Sequence, residues 1–210
     1  MHLYLSSYHL GNDPSQLKNL VGKNTRAAVI SNSLDFSLDH DRKRKSIQRE
    51  IADLNNLGFI SEELDLKNYF GKAPELEAKM EEFGLVWVIG GNTFILRRAM
   101  AESGLDKILL HYTHLQSKQD FIYAGYSAGV CVLSPTLKGI ELADDPHFIP
   151  EGYQQQTLYD GLGIINYFVA PHYKSYHPES DLTDKTVEYY IEHKMLFKIL
   201  RDGEALVERT

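Results

Sequence analysis

The sequence predicts an α/β fold, a doubly wound and mostly parallel sheet with helices on both faces. Three observations predict it. Short apolar runs alternate along the chain with segments of helical periodicity. Several of these runs are apolar at every position, as in parallel strands that are covered on both sides. Glycine- and histidine-bearing turns follow the runs directly, at the strand ends where such sheets bind their ligands.

The individual elements follow from periodicity and from turn residues. The expected strands are 3–6, 27–31, 85–89, 121–123, 164–170 and 205–207. Ile47, Ile51, Leu54 and Leu57 recur at helical spacing, and Gly58 follows them as a C-terminal cap. Further helices are expected at 74–83, 93–102 and 106–116, the first of them with proline at its first turn. Residues 139–162 form the longest irregular stretch, and a loop of that length usually has a function.

Composition limits the class of protein. A length of 210 residues with 43% hydrophobic and 24% charged residues fits one globular domain, 1–210. A net charge of −7 without a basic stripe argues against nucleic-acid binding. No apolar run approaches the roughly 18 residues of a membrane helix, and the first residues lack the features of a signal peptide. Cys131 is the only cysteine, so no internal disulfide can form, and no Cys/His group has zinc spacing. We therefore expect a cytoplasmic protein without a metal.

The segment 121–129 carries the strongest functional signal. An apolar run ends at Gly125, Ser127 follows, and Gly129 comes two residues later. This is the G-x-S-x-G pattern of a nucleophile elbow, in the strand-then-helix context that gives the pattern its meaning. Taken alone, the pattern fits an ordinary glycine-rich turn with a solvent-facing serine about equally well.

Two other turns support a hydrolytic site. Gly90 and Gly91 end an apolar strand before a helix, and backbone without side chains can bring N–H groups close to a ligand. We expect the amides of Gly91 and Ala128 to form an oxyanion hole. His172 follows Pro171 just past another apolar strand, where it can face Ser127 as a general base.

The acid that would orient His172 is less certain from the residues. The long loop supplies Glu141, Asp144 and Asp145, and Asp160 lies farther on. Most acids in such a loop are simply solvated. Together with Ser127 and His172 they make a catalytic triad available.

Gly-Gly-Asn-Thr at 90–93, Gly-Tyr-Ser-Ala-Gly at 125–129 and Pro-His at 171–172 resemble the peptidase E (aspartyl dipeptidase) family of serine peptidases, which is related to cyanophycinase. The resemblance implies a sandwich like that of class I glutamine amidotransferases and cofactor-free hydrolysis of short peptides. It implies Ser127 as nucleophile, His172 as base and an acid between them in the chain. Asp144, next to Asp145-Pro146, is preferred as that acid and Glu141 comes second. The resemblance also admits a homodimer.

Substrate specificity departs from the family pattern. Peptidase E binds its N-terminal aspartate through an arginine downstream of the catalytic histidine, whereas 175–185 contains no arginine and only Lys185 as a cation. A lysine lacks the planar two-pronged fork that holds a carboxylate. Strict Asp-X specificity is therefore not expected. An esterase or amidase acting on a non-peptide substrate, and a binding protein without turnover, are the alternatives.

Overall fold

The computed structural model describes all 210 residues. Its strands are β1 (His2–Ser6), β2 (Arg26–Ile30), β3 (Ile60–Glu63), β4 (Leu85–Val88), β5 (Ile122–Tyr126), β6 (Phe168–Ala170), β7 (Phe197–Ile199) and β8 (Ala205–Arg209). Its helices are α1 (Ser15–Asn19), α2 (His40–Asn56), α3 (Ala73–Met80), α4 (Thr93–Ser103), α5 (Leu105–His114), α6 (Ala128–Cys131) and α7 (Ser180–Glu192). No helix is both long enough and apolar enough to span a bilayer.

Six strands form the central sheet in the order β3-β2-β4-β5-β1-β8. All neighbouring pairs are parallel except β1 and β8, which run antiparallel. Strands β6 and β7 form a separate parallel pair. Strands β4, β5 and β1 are neighbours, so their carboxyl ends, and the turns that follow them, lie together at one edge of the sheet.

Helices cover both faces of the sheet, as the sequence predicts. Side chains alternate between faces along each strand. Leu3 and Leu5 of β1 therefore enter a core with α3, α4 and α5, whereas Tyr4 enters a second core with α1 and α2. A third core joins β6 and α7 to Cys131 of α6. The doubly wound α/β prediction is confirmed.

Strands β3 and β7 and helices α1 and α7 are not predicted from the sequence. Strand β3 reads Ile-Ser-Glu-Glu at the edge of the sheet, where none of its residues is fully buried and no apolar run forms. Strand β7 is equally exposed. Helix α7 mixes threonines and charged residues, and its buried face holds only Thr183, Thr186, Val187 and Tyr190. The strand expected at 164–170 covers only Phe168–Ala170.

Candidate active site

Ser127 lies on a strained turn between β5 and α6. Its backbone has φ of 50° and ψ of −116°, a combination that a residue with a side chain rarely adopts. A Cβ on Gly125 would lie 2.6 Å from the Val88 carbonyl oxygen, and one on Gly129 would lie 2.4 Å from the same atom. Both glycines are therefore required for the elbow to pack against the end of β4.

The glycine turn after β4 lies directly beside the serine. A Cβ on Gly90 would come within 2.9 Å of the Ser127 Cβ atom. Gly91 has φ of 146°, where only glycine is relaxed, and its N–H donates to no backbone carbonyl. Ser33 fixes the turn, because its hydroxyl donates to the carbonyls of Ile89 (2.7 Å) and Gly90 (2.9 Å).

Ala128 follows Ser127 directly in the chain. Ala128 is the first residue of α6, so its N–H has no helical acceptor. Neither the Gly91 nor the Ala128 amide thus has a backbone acceptor.

His172 pairs with Asp202. The Nδ1 atom of His172 lies 2.7 Å from Oδ1 of Asp202. Ser7, just after β1, bridges the pair, since its Oγ donates to the Asp202 carboxylate (2.9 Å) and accepts from the His172 N–H (2.8 Å). A stacked ring, His177, lies 3.7 Å away and nearly parallel. The imidazole is therefore held in one orientation.

The other ring nitrogen of His172 faces the site. An ionised carboxylate can only accept, so the neutral imidazole carries its proton on Nδ1 and offers Nε2 as an acceptor. Nε2 is buried and makes no hydrogen bond. Burial lowers the pKa of His172, and the hydrogen bond with Asp202 opposes that change. At pH 7 the ring is therefore uncharged, and its Nε2 atom can accept a proton.

The acid preferred from the sequence, Asp144, is not the partner of His172. Asp144 does not contact His172. Its Oδ2 accepts from the Thr93 N–H at the start of α4 (2.8 Å). Asp202 stands in the position that Asp144 was expected to take, and it follows the histidine in the chain instead of preceding it. Glu141 accepts from the Gly139 N–H, and Asp145 accepts from the His147 N–H, so neither reaches the imidazole either.

The sequence around Asp202 indicates a turn and not a catalytic acid. Asp202 precedes Gly203 between two short strands, and Asp-Gly in that setting usually indicates a turn. The turn is real, because the Glu204 N–H donates to the Arg201 carbonyl. Only the pairing of β8 with β1 brings this turn next to Ser7, and the sequence alone does not predict that pairing.

One small cavity joins these groups. Its volume is about 30 Å³, and it is lined by Ser127 and His172 together with Thr93, Cys131, Ile140, Ala143, Asp144, Ala170, Pro171, Glu179, Thr183 and Thr186. Part of the 139–162 loop thus forms one wall. The loop is held by Arg98, a buried side chain of α4 that donates to the carbonyls of Pro146 (2.8 Å) and Gln156 (2.9 Å).

One group of side chains has metal-ligand chemistry. His172, His177 and Glu179 place ligand atoms within 4.8 Å of one another. The two histidine rings are stacked with an interplanar angle of 7°, so the in-plane lone pairs run side by side and do not converge on one point. In this arrangement the group does not offer tetrahedral coordination.

The fold is that of an α/β protein with a serine and a histidine in one cavity. The chain matches the model of peptidase family S51 over residues 38–209 and belongs to that family. The family is described as one of peptidases.

Curated relatives agree. The chain is 29% identical over 146 residues to an uncharacterized peptidase of Listeria monocytogenes, covering 70% of this chain and 66% of the relative. It is 26% identical over 173 residues to a Drosophila melanogaster protein named as an alpha-aspartyl dipeptidase, covering 80% and 64%. The matched region thus spans about two thirds of each of these relatives.

Solved structures share the fold. A Listeria monocytogenes EGD-e protein assigned to peptidase E superimposes with a TM-score of 0.69 at 23% identity, covering 100% of this chain and 98% of the other. A peptidase from an acI-B1 Actinobacterium gives a TM-score of 0.72 at 20% identity, covering 99% and 83%. These two likenesses establish the fold.

Proposed function

We propose that the protein is a cofactor-independent serine peptidase that hydrolyses short peptides through an acyl-enzyme on Ser127. The observation that carries the proposal is the His172–Asp202 pair at 2.7 Å, whose free Nε2 is buried in the cavity that Ser127 also lines. A serine nucleophile needs a base, and the base needs an acceptor at its far nitrogen to fix its tautomer.

The first step is attack on the peptide carbonyl. Ser127 adds to the carbonyl carbon while Nε2 of His172 removes the hydroxyl proton. Asp202 accepts the Nδ1–H bond and stabilises the imidazolium that forms. The amides of Gly91 and Ala128 donate to the oxyanion of the tetrahedral intermediate.

Collapse of the intermediate releases the first product. His172 protonates the leaving amine, which departs and leaves an ester on Ser127. Water enters, His172 removes its proton, and attack on the ester releases the acid product and restores the serine. No step requires a group beyond these residues.

Short peptides fit this site best. The cavity is small and closed on one side by the loop that Arg98 holds, so a folded chain cannot reach Ser127. Lys185, the only cation in the segment where the family pattern has arginine, is exposed and lies outside the cavity lining. This agrees with the expectation that strict Asp-X specificity is absent.

A dipeptide library tests the proposal. Wild type, Ser127→Ala and Ser134→Ala are screened in parallel, with Ser134 as a buried serine that does not line the cavity. We expect Ser127→Ala to lose on the order of 10⁶-fold in kcat and Ser134→Ala to keep its activity. If Ser127→Ala hydrolyses the same peptides at a similar rate, the proposal is wrong.

A further inference from the structure

Two carboxylates in the active-site cavity take no part in the chemistry proposed above. Asp144 and Glu179 line it together with Ser127 and His172, and no lysine or arginine does. Lys185, which follows Glu179 by six residues, is exposed and does not line the cavity. Apart from His172, the acidic and basic side chains that line this cavity are therefore both carboxyl groups.

Neither carboxylate is neutralised by the protein. Oδ2 of Asp144 accepts a hydrogen bond from the Thr93 N–H, and Oδ1 of Asp144 makes no hydrogen bond. The Glu179 carboxylate makes no hydrogen bond at all, and the nearest basic atom, Nε2 of His172, lies 4.0 Å from its Oε2. Its side chain is 43% exposed, which places it at the mouth of the cavity.

Both groups carry negative charge at a cost. Burial raises the pKa of Asp144 to about 6, against the Thr93 hydrogen bond. Burial, followed by repulsion from Asp144 and Asp202, raises the pKa of Glu179 to about 7. A positive charge placed between such groups removes this penalty, whereas a negative one increases it.

A second observation shows that the cavity is built to receive a ligand. The Nε2 atom of His172, whose side chain is only 2% exposed, is buried and has no partner. Buried polar atoms in proteins are almost always hydrogen-bonded, so an orphan here indicates a site completed by a ligand.

We propose that Asp144 and Glu179 bind a cationic nitrogen group of the substrate. This inference rests on the proposed function and states which substrates that peptidase prefers. Two chemical sources supply such a group, the side chain of lysine or arginine and a free α-amino group. Peptides whose first residue is aspartate are bound poorly, because their side-chain carboxylate meets two others.

Binding to Ser127→Ala tests the inference without turnover. Calorimetry with this variant compares four dipeptides that share alanine in second place and begin with lysine, norleucine, aspartate or N-acetyl-lysine. Norleucine matches the lysine chain without its charge, and acetylation removes only the α-amino charge. If the side chain is recognised, we expect the lysine peptide to bind roughly tenfold tighter than the norleucine peptide. If the α-amino group is recognised, we expect the lysine peptide with a free amino group to bind tighter than its acetylated form. Aspartate should bind weakest.

Removal of one carboxylate gives the matched control. In the Ser127→Ala background, Glu179→Gln should lower the preferred cation's advantage by roughly tenfold. Asp181→Asn, which removes an equal charge from an exposed position two residues away, should leave that advantage unchanged. Circular dichroism confirms that both variants are folded.

The outcomes separate this inference from the proposed function. Equal binding of charged and uncharged peptides, or an advantage that survives Glu179→Gln, overturns the inference while hydrolysis by wild type still supports the serine mechanism. Cation preference in binding without hydrolysis by wild type supports the inference and contradicts the mechanism.

Discussion

The pairing of His172 with Asp202 predicts the effect of Asp202→Asn. The carboxylate accepts from both His172 Nδ1 (2.7 Å) and Ser7 Oγ (2.9 Å). An asparagine in its place can present its NH2 group to Nδ1, which forces the imidazole proton onto Nε2. In that tautomer His172 cannot take the proton of Ser127.

The expected loss follows from the geometry. In serine triads a change of this kind lowers kcat by about 10⁴-fold. Asp202 is 21% exposed, so water can replace part of its effect. We therefore expect a loss of about 10³- to 10⁴-fold in kcat, equivalent to about 4–5.5 kcal/mol of transition-state stabilisation.

A pH profile distinguishes this role from a structural one. Burial lowers the pKa of His172 and Asp202 raises it. Activity should rise with pH as His172 loses its proton, with a midpoint below about 6.5 in wild type. Without the carboxylate the midpoint should move to still lower pH, because the imidazolium loses its partner.

The assay is steady-state hydrolysis of the best dipeptide from pH 4 to 9. Glu204→Gln is the control, since it neutralises an exposed acid in the same turn, away from His172. Asp202→Asn with more than a tenth of wild-type kcat would refute the reasoning. So would an Asp144→Asn variant that loses activity while Asp202→Asn keeps it, which would restore the acid preferred from the sequence.

Three further predictions concern the frame of the site. Gly129→Ala places a Cβ 2.4 Å from the Val88 carbonyl and should cost about 1–3 kcal/mol in urea unfolding; an unchanged midpoint contradicts the tight elbow. Glu50→Ala leaves the Trp87 indole, now 2.9 Å from that carboxylate, unpaired in the core and should cost about 3 kcal/mol at pH 7. Burial raises the pKa of Glu50, but the hydrogen bonds from His9 and Trp87 outweigh burial and lower that pKa, so the part of the cost that comes from the carboxylate charge should be lost as the pH falls below about 4.5; a pH-independent difference contradicts it. Arg98→Met removes the hydrogen bonds to the carbonyls of Pro146 and Gln156, so proteolytic cleavage within 146–157 should become faster. Equal cleavage rates in the variant and in wild type would show that Arg98 does not hold this loop.

The features that could be predicted from the sequence are those with local causes. Apolar runs predict the buried strands β1, β2, β4 and β5, because parallel strands in the middle of a sheet are buried on both faces. The elbow at Ser127 and the turn at Gly90 follow from the same local rules. Edge strand β3 has no such pattern, because solvent accepts its polar side chains.

The acid could not be found in the same way. Asp202 is brought to His172 by long-range pairing: β8 adds antiparallel to β1, and Ser7 joins the two segments across a separation of 195 residues. No local pattern encodes that contact. The family resemblance implies an acid in the loop between Ser127 and His172. In that loop Asp144 lines the cavity, but its carboxylate accepts from the Thr93 N–H.

Covalent labelling of Ser127 tests the central claim most directly. Wild type and Ser127→Ala are treated with a fluorophosphonate probe, and the adduct is mapped by mass spectrometry of the intact chain and of its peptides. We expect one adduct per chain, located on Ser127, which forms faster in wild type than in Asp202→Asn and is absent from Ser127→Ala. An unlabelled wild type, or a label on another residue that persists in Ser127→Ala, would contradict it.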